Sequence, residues 1–373
     1  MTKASRVLLE LTIEGRTFRG KEILEKGRQL VQEHHDAPWA RKVLDALQEI
    51  VGDGDTIRSM VLHTSGTTGT PKPIALSAAD LIASAELTAS VFDLQRGDRV
   101  LMCLPANHIA GRMMLVRAIH SGLDLHFTDP AGGVLQQLAA DDRFSFSAMI
   151  PLQLHRALLQ DPRKVDQHFT RILLGGGPVD LALVQLLKGR SIKVFQGYGS
   201  TETVTHVALR QLDPDRPEPL KEPYKAVGEV RFSNDPEGRL VVHTPHLSTI
   251  VHHTNDIVEV LDPVRFIWKG RWDNVVLSGG KKYHPEIMEA RTSGSITEPH
   301  YFTGEKDPLL GEALVLVVES NEPSSRLFER LRPLLEELFH QHEVPKRLIA
   351  LPRLPRTGSG KLIRRPPSEI TGL

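Results

Sequence analysis

One run of ten residues, His63-Thr64-Ser65-Gly66-Thr67-Thr68-Gly69-Thr70-Pro71-Lys72, carries the strongest chemical signal in the chain. Glycines let a backbone turn tightly and approach a ligand, hydroxyls donate to phosphate oxygens, and a closing lysine adds charge. The run follows the apolar stretch Met60–His63, so it reads as a phosphate loop leaving a strand. It is not the G-x-x-x-x-G-K-[ST] loop, because Pro71 stands before Lys72 where that pattern puts lysine directly after the second glycine. Taken alone, the run is equally a flexible Gly/Thr surface loop.

Other chemistry-bearing segments follow in order along the chain. They are Gly175-Gly176-Gly177-Pro178 after an apolar run, Gln196-Gly197-Tyr198-Gly199-Ser200-Thr201-Glu202, Thr254-Asn255-Asp256, Gly270-Arg271-Trp272-Asp273, and Pro355-Arg356-Thr357-Gly358-Ser359-Gly360-Lys361. Glu202 follows a glycine-rich turn at the carboxyl end of an expected strand, where open parallel sheets bind ligands. A single carboxylate beside nucleotide phosphates suits magnesium, which takes few protein ligands; a lone glutamate is otherwise a solvated surface residue. Asp256 can accept from a ribose diol or be a turn residue. Lys361 sits among Arg353, Arg356, Arg364 and Arg365, which is either a catalytic cation or a solvated basic tail.

Together with the phosphate loop, these segments resemble the ordered motifs of the AMP-forming adenylating enzymes: acyl-CoA synthetases, peptide-synthetase adenylation domains and luciferases. The resemblance spans about residues 59 to 365. It implies ATP, Mg2+ and, in the acyl-CoA synthetase branch, coenzyme A. On that reading Thr64, Ser65, Gly66, Thr67, Thr68, Gly69 and Lys72 hold phosphates, and Gly175, Gly176 and Gly177 form the adenine-side loop. Tyr198 stacks on adenine, with Gly199 beside it. Thr201 contacts the α-phosphate, Glu202 the metal, and Asp256 and Arg271 the ribose. Asp273 is the interdomain hinge, Ser278, Gly279 and Gly280 line the CoA entry, and Lys361 is the catalytic lysine. Asn255 stands where the family has glycine, and the region before the phosphate loop is shorter than in most relatives.

The acyl pocket wall falls, by the same resemblance, on Leu104–Arg117. There Ala110 and Gly111 leave room beside a helix start, His108 gates or polarises, and Arg112 meets a substrate carboxylate. Gly197 and Ser200 complete the expected acid site. This segment and the short N-terminus resemble those of the compact o-succinylbenzoate–CoA ligases of menaquinone synthesis, so the resemblance implies o-succinylbenzoate as the acid. Other acids, a carrier-protein acceptor, or a nucleotide-binding relative without catalysis are the alternatives.

Positioning these residues requires an α/β fold. From Ser59 to Gly199 apolar runs alternate with helix-period segments, which predicts a parallel sheet with strands at Met60–His63, Val100–Leu104, Leu123–Phe127, Phe146–Ile150, Ile172–Leu174 and Val194–Gln196. Helices are expected from about Ser77, Ala110, Val134, Leu152 and Asp180. Ser77 with Asp80 resembles a capping box. A small antiparallel β subdomain is expected over 227–260, with a hairpin at Asn234–Gly238. The first 58 residues read as largely amphipathic helix, Lys21–Glu49. A large N-terminal domain, 1–270, would then be joined at Gly270–Asn274 to a smaller, mobile α+β domain, 274–373.

Composition narrows the class of partner. With 46 basic and 46 acidic residues the chain has no net charge, which argues against a nucleic-acid or polybasic membrane binder. Cys103 is the single cysteine, so no intrachain disulfide forms and a reducing, cytoplasmic setting is expected. The N-terminus begins like a signal peptide, but Glu10 and Glu14 interrupt its apolar run. No apolar stretch is long enough to span a membrane. The sequence sets no oligomeric state and leaves a homodimer open.

Overall fold

The computed structural model describes residues 8–63, 73–356 and 362–370. Among these, thirteen strands form one sheet. Across it, from the N-terminal edge, run Arg16–Arg19, Glu10–Ile13, Asp124–Phe127, Arg99–Met102, Phe146–Met149, Arg171–Leu174 and Lys193–Gly199. From Glu10–Ile13 to Lys193–Gly199 every neighbouring pair is parallel. The strands are short and mainly apolar past their first residues because both faces are covered. One face packs on helices Ala78–Val91 and Ile109–Ser121, and the other on Pro151–Gln160 and Leu181–Leu186. Cys103 is fully buried in this block, and burial pushes its thiol up to about 12, so it is not a nucleophile.

Beyond Lys193–Gly199 the sheet turns antiparallel through His206–Gln211, Tyr224–Ala226, Arg265–Arg271, Val251–Asp262, Arg239–His243 and Arg231–Asn234. The expected β subdomain is therefore a continuation of the main sheet. Its Asn234–Gly238 hairpin is present, with Asp235 accepting from the Glu237 and Arg239 amides.

Several expectations are corrected. Met60–His63 does not join the parallel sheet; it pairs only with Pro73–Leu76, antiparallel, as the two arms around residues 64–72. The helix expected at Val134 is a single 3-10 turn, Leu135–Gln137. The N-terminal segment contains a hairpin, Glu10–Ile13 and Arg16–Arg19, turned by Glu14 and Gly15 with φ of 49° and 78°. Its helical part breaks into Glu22–Glu33 and Pro38–Val51, because His35 and Asp36 take positive φ and Pro38 restarts the helix at its first turn.

After Arg271 a 3-10 turn, Trp272–Asn274, leads to a separate five-stranded sheet. It holds the hairpin Val276–Ser278 and Lys281–Tyr283, then His300–Asp307, Gly311–Glu319 and Arg347–Leu351, with helices Pro285–Thr292 and Ser324–Leu338. The strands His300–Asp307 and Arg347–Leu351 were not expected from the sequence. Among the described residues no helix is long and apolar enough to cross a membrane.

One buried carboxylate ties distant parts of the main sheet. Ser77 caps helix Ala78–Val91 by accepting from the Asp80 amide at 3.1 Å. The Asp80 carboxylate does not close a capping box on the backbone; it accepts the Ser248 amide and hydroxyl, both at 2.6 Å, and the Ser77 hydroxyl at 2.7 Å. Burial alone would raise its pKa, but these hydrogen bonds outweigh burial and hold the carboxyl below its ordinary value. A carboxylate depressed in this way contributes stability above its unfolded pKa, about 3.9, and loses it as pH falls through the folded value. Asp80→Asn should therefore cost about 2 kcal/mol at pH 7, with the gap to wild type closing at acid pH in urea titrations. A cost that does not depend on pH would refute the ionic role.

Candidate active site

The centre of the site lies where the parallel block meets the antiparallel half. Tyr198, on the last parallel strand, donates its hydroxyl to Asp256 Oδ2 at 2.6 Å. Trp268 Nε1 donates to Asp256 Oδ1 at 3.1 Å, and Arg271 Nη1 stands 3.8 Å from the same oxygen. Asp256 and Arg271 face each other in register on neighbouring antiparallel strands. The Tyr198 ring packs against Phe266 and Tyr224 at centroid distances of 5.1 and 5.8 Å. Burial, then the Asp256 charge, pushes the Tyr198 hydroxyl well above its ordinary pKa, so it stays a donor at neutral pH. Each Asp256 oxygen keeps a second lone pair for a ligand diol.

Asn255 needs no unusual backbone. It lies within the strand Val251–Asp262 and is not among the positive-φ residues, so the glycine of the resembled motif is not required for a turn here. Its amide instead reaches Asp273 at 3.2 Å, and Arg271 holds the same carboxylate at 2.8 Å. Thr254 accepts the Asp256 amide and donates to the Leu240 carbonyl, which fixes the Asp256 backbone.

The loop Ser200–Thr205 joins the last parallel strand to the first antiparallel one and carries Thr201 and Glu202. It is held from inside by Thr203, whose hydroxyl accepts the Ser200 amide at 2.9 Å. Gly199 is obligatory at its start, since a Cβ there would lie 2.0 Å from the Thr205 carbonyl oxygen. Val204 is buried with φ of 63°, a conformation that costs a β-branched residue energy and clusters at functional loops. Glu202 lines a cavity of about 200 Å³ with Asp80, Ser248, Thr249, His252 and the strand Pro73–Leu76. Ile74, Ala75 and Leu76 of that strand line it, so Glu202 lies across the cavity from the strand that follows the expected phosphate loop. Thr64, Ser65, Gly66, Thr67, Thr68, Gly69, Lys72 and Lys361 lie outside the described residues. Gly175, Gly176 and Gly177 follow the strand Arg171–Leu174 at the same carboxyl edge, and a side chain at Gly175 would meet only open space. Ser278 ends one arm of a surface hairpin whose turn is Gly279 and Gly280, both at positive φ.

On the acid side the structure departs from the sequence reading. Arg112 does not face an open pocket: its guanidinium is held by the Glu49 carboxylate from helix Pro38–Val51 and by the Ala106 carbonyl. The room beside Gly111 is filled by backbone, since a Cβ there would lie 2.3 Å from the Pro105 carbonyl oxygen. His108 occupies the cap of helix Ile109–Ser121 without a side-chain capping bond, and partial burial, then Lys42, lowers its pKa.

Arg117, one and a half turns beyond Arg112, falls in the segment the sequence reading gave to the acyl pocket wall, but it was given no role there. Its side chain is 2% exposed, its Nε is unpartnered, and its Nη1 meets only the Met114 sulfur at 3.7 Å. No carboxylate pairs with it among the described residues, and burial lowers its pKa to about 10. His206 lies close by, with neither ring nitrogen hydrogen-bonded; burial, then Arg117, pushes it down to about 3, so it is neutral. Gly197, on the neighbouring strand, stands against His206, whose Cβ would lie 3.2 Å from a Cβ placed there, so a side chain would fit tightly. The only sequence signal was an arginine inside an otherwise apolar helix stretch, Met113–Ile119.

Comparison with known proteins decides the family. The profile described as "AMP-binding enzyme" matches residues 17–246. The chain belongs to the AMP-binding enzyme family. A crystal structure from Dyadobacter fermentans, described as an acyl-CoA synthetase (AMP-forming)/AMP-acid ligase II-like protein, is 35% identical, with TM-score 0.56, covering 87% of this chain and 92% of that one. A 2-succinylbenzoate–CoA ligase from a Geobacillus species is 25% identical over 333 residues, 82% of this chain and 67% of that protein. The o-succinylbenzoate coenzyme A synthetase of Bacillus subtilis, solved with ATP and magnesium ion, is 22% identical with TM-score 0.67, covering 82% and 68%, and shares the fold. This AMP-binding enzyme is thus an AMP-forming acyl-CoA synthetase, which activates an acid as its adenylate.

Tyr198→Phe removes the donor to Asp256 but keeps the ring packing. Losing a hydrogen bond to a charged group should lower stability by about 1.5 to 3 kcal/mol in denaturant titrations, with the m-value unchanged. An unchanged midpoint would show that the Tyr198–Asp256 bond contributes nothing to the fold.

Proposed function

We propose that this enzyme is an ATP-dependent acid–CoA ligase for an aryl acid bearing a second carboxylate, with 2-succinylbenzoate, an intermediate of menaquinone biosynthesis, as its substrate. The reaction joins carboxylate and ATP to give acyl-AMP and pyrophosphate, after which the CoA thiol displaces AMP to give the thioester. Adenylation replaces a poor leaving group, hydroxide, by AMP.

Arg117 is the observation that carries the acid assignment. A buried guanidinium without a counter-ion is costly, and a substrate carboxylate would supply the missing charge and the bidentate partner. The neutral His206 beside it offers a further donor or acceptor. Helix Ile109–Ser121 belongs to the segment that the family resemblance assigns to the acyl pocket wall, and the relatives named 2-succinylbenzoate–CoA ligases agree with a diacid.

The remaining roles are carried over from the resemblance. Residues Thr64–Lys72 would hold the β- and γ-phosphates, Tyr198 would stack on adenine with the Gly175–Gly177 loop beside it, and Asp256 and Arg271 would hold the ribose. Thr201 and Lys361 would meet the α-phosphate. Glu202, across its cavity from the strand that follows the expected phosphate loop, fits the single carboxylate that a magnesium ion needs beside phosphates. When bound, the ion would neutralise phosphate charge. Asp273 would be the hinge for the second step and Ser278–Gly280 the CoA side.

Two substitutions test this reading. Arg117→Met should lower kcat/KM for o-succinylbenzoate by roughly 10- to 100-fold while leaving KM for ATP unchanged, and should spare an analogue that keeps the reacting carboxylate and carries a methyl in place of the other one. Equal losses with both acids would remove Arg117 from the substrate site. Glu202→Gln should depress pyrophosphate release at low magnesium and recover in part at high magnesium. Wild-type rates at low magnesium would contradict the metal role.

A further inference from the structure

A second buried charge cluster lies at the junction of the two sheets, outside the nucleotide and acid sites. Helix Pro285–Thr292 presents Glu286 and Glu289 one turn apart, and one arginine, Arg364, serves both. Its Nη2 is hydrogen-bonded to the Glu289 carboxylate, and its Nη1 stands 3.8 Å from Glu286. Glu289 also accepts the Phe302 amide at 3.0 Å. Burial, offset in part by Arg364 and reinforced by Glu286, raises the Glu289 carboxyl to about 7. Two carboxylates on one cation is an expensive arrangement for mere stability.

What the cluster connects gives it a purpose. Glu286 accepts from the Asn274 side chain, in the linker between the sheets, and lies over Gly270, the next-to-last residue of the large sheet's strand. A Cβ at Gly270 would stand 2.5 Å from Glu286 Oε2, and Gly270 takes φ of 138°, so glycine is needed there. On the other side, Arg364 belongs to the segment that leaves residues 357–361. The two ends of that segment are pinned: Arg356 and Leu362 form a β-bridge, Ile363 donates to the Pro355 carbonyl at 2.9 Å, and Tyr301 exchanges hydrogen bonds with the Arg365 backbone. Arg364 therefore joins the stem of the Lys361 segment, three residues away in the chain, to the helix that abuts the linker.

We propose that Arg364, through Glu289 and Glu286, is a positioning residue for the adenylation step: it sets the stem of the Lys361 segment against the linker, and so against the large sheet. This rests on the reading that Lys361 acts in acyl-AMP formation. A cation displaced by about 1 Å from the reacting groups loses roughly 10²-fold in rate, so the effect falls on kcat of the first half-reaction.

The test compares Arg364→Ala, Arg364→Lys and Lys361→Ala in separate half-reactions, pyrophosphate release from ATP and acid, and thioester formation from supplied acyl-adenylate and CoA. Arg364→Ala should lose roughly 10- to 100-fold in kcat for pyrophosphate release with KM for ATP unchanged, and keep thioester formation near wild type. Arg364→Lys, which keeps the charge but not the two-armed geometry, should recover part of the loss. Equal loss in both half-reactions, or none in either, would overturn the inference. Should Arg364→Ala not fold, Arg364→Lys and Glu289→Gln decide by the same split. If Lys361→Ala leaves pyrophosphate release intact, the underlying reading of Lys361 fails; if it abolishes release while the Arg364 variants stay at wild type, only the positioning role fails.

Discussion

The bond between Tyr198 and Asp256 sets the shape on which the site depends. The two residues sit on strands four places apart in one sheet, a separation of about 19 Å if the sheet were flat. Their side chains nevertheless meet at 2.6 Å. The antiparallel half must therefore curl over the end of the parallel block, and an aromatic cluster fills the concave side: Phe266 lies against Tyr198, Tyr224 and Phe232. Curling also brings His252, four residues before Asp256 on the same strand, to the cavity that Glu202 lines. Tyr198, Asp256, Arg271 and Glu202 converge because the sheet curls there, and the change from parallel to antiparallel pairing puts an internally braced loop at that place.

The acid side obeys a different rule. Helix Ile109–Ser121 is buried on nearly every face, so each charged residue in it must find a partner or remain a liability. Arg112 finds Glu49 and Ala106; Arg117 finds no carboxylate among the described residues. The helix that carries Glu49 belongs to the N-terminal segment, so this short segment secures the helix start by a charge contact as well as by its apolar face.

Much of the parallel block was legible because its strands are continuous apolar runs bounded by glycine, proline or aspartate, and the ordered motifs gave the family. What escaped had a physical cause in each case. The Glu10–Arg19 hairpin has strands of only four residues, too short for their period to stand out beside the amphipathic helix pattern that follows; the Glu14-Gly15 turn was the available clue. Met60–His63 has the composition of a central strand but is committed to pairing with Pro73–Leu76, which no local pattern reveals. Arg112 and Arg117 look alike in sequence. Five residues apart on a helix they point about 140° from each other, and only the tertiary partners tell which one is spoken for.

The account holds that this enzyme makes an acyl-adenylate from a diacid at the curled end of its sheet. The most direct measurement is ATP–pyrophosphate exchange by the wild-type protein without CoA. Exchange should depend strictly on added o-succinylbenzoate and fall sharply when the carboxylate that is not adenylated is replaced by a neutral group. Exchange that is equally fast with the neutral analogue, or absent with o-succinylbenzoate while another acid supports it, would contradict the account.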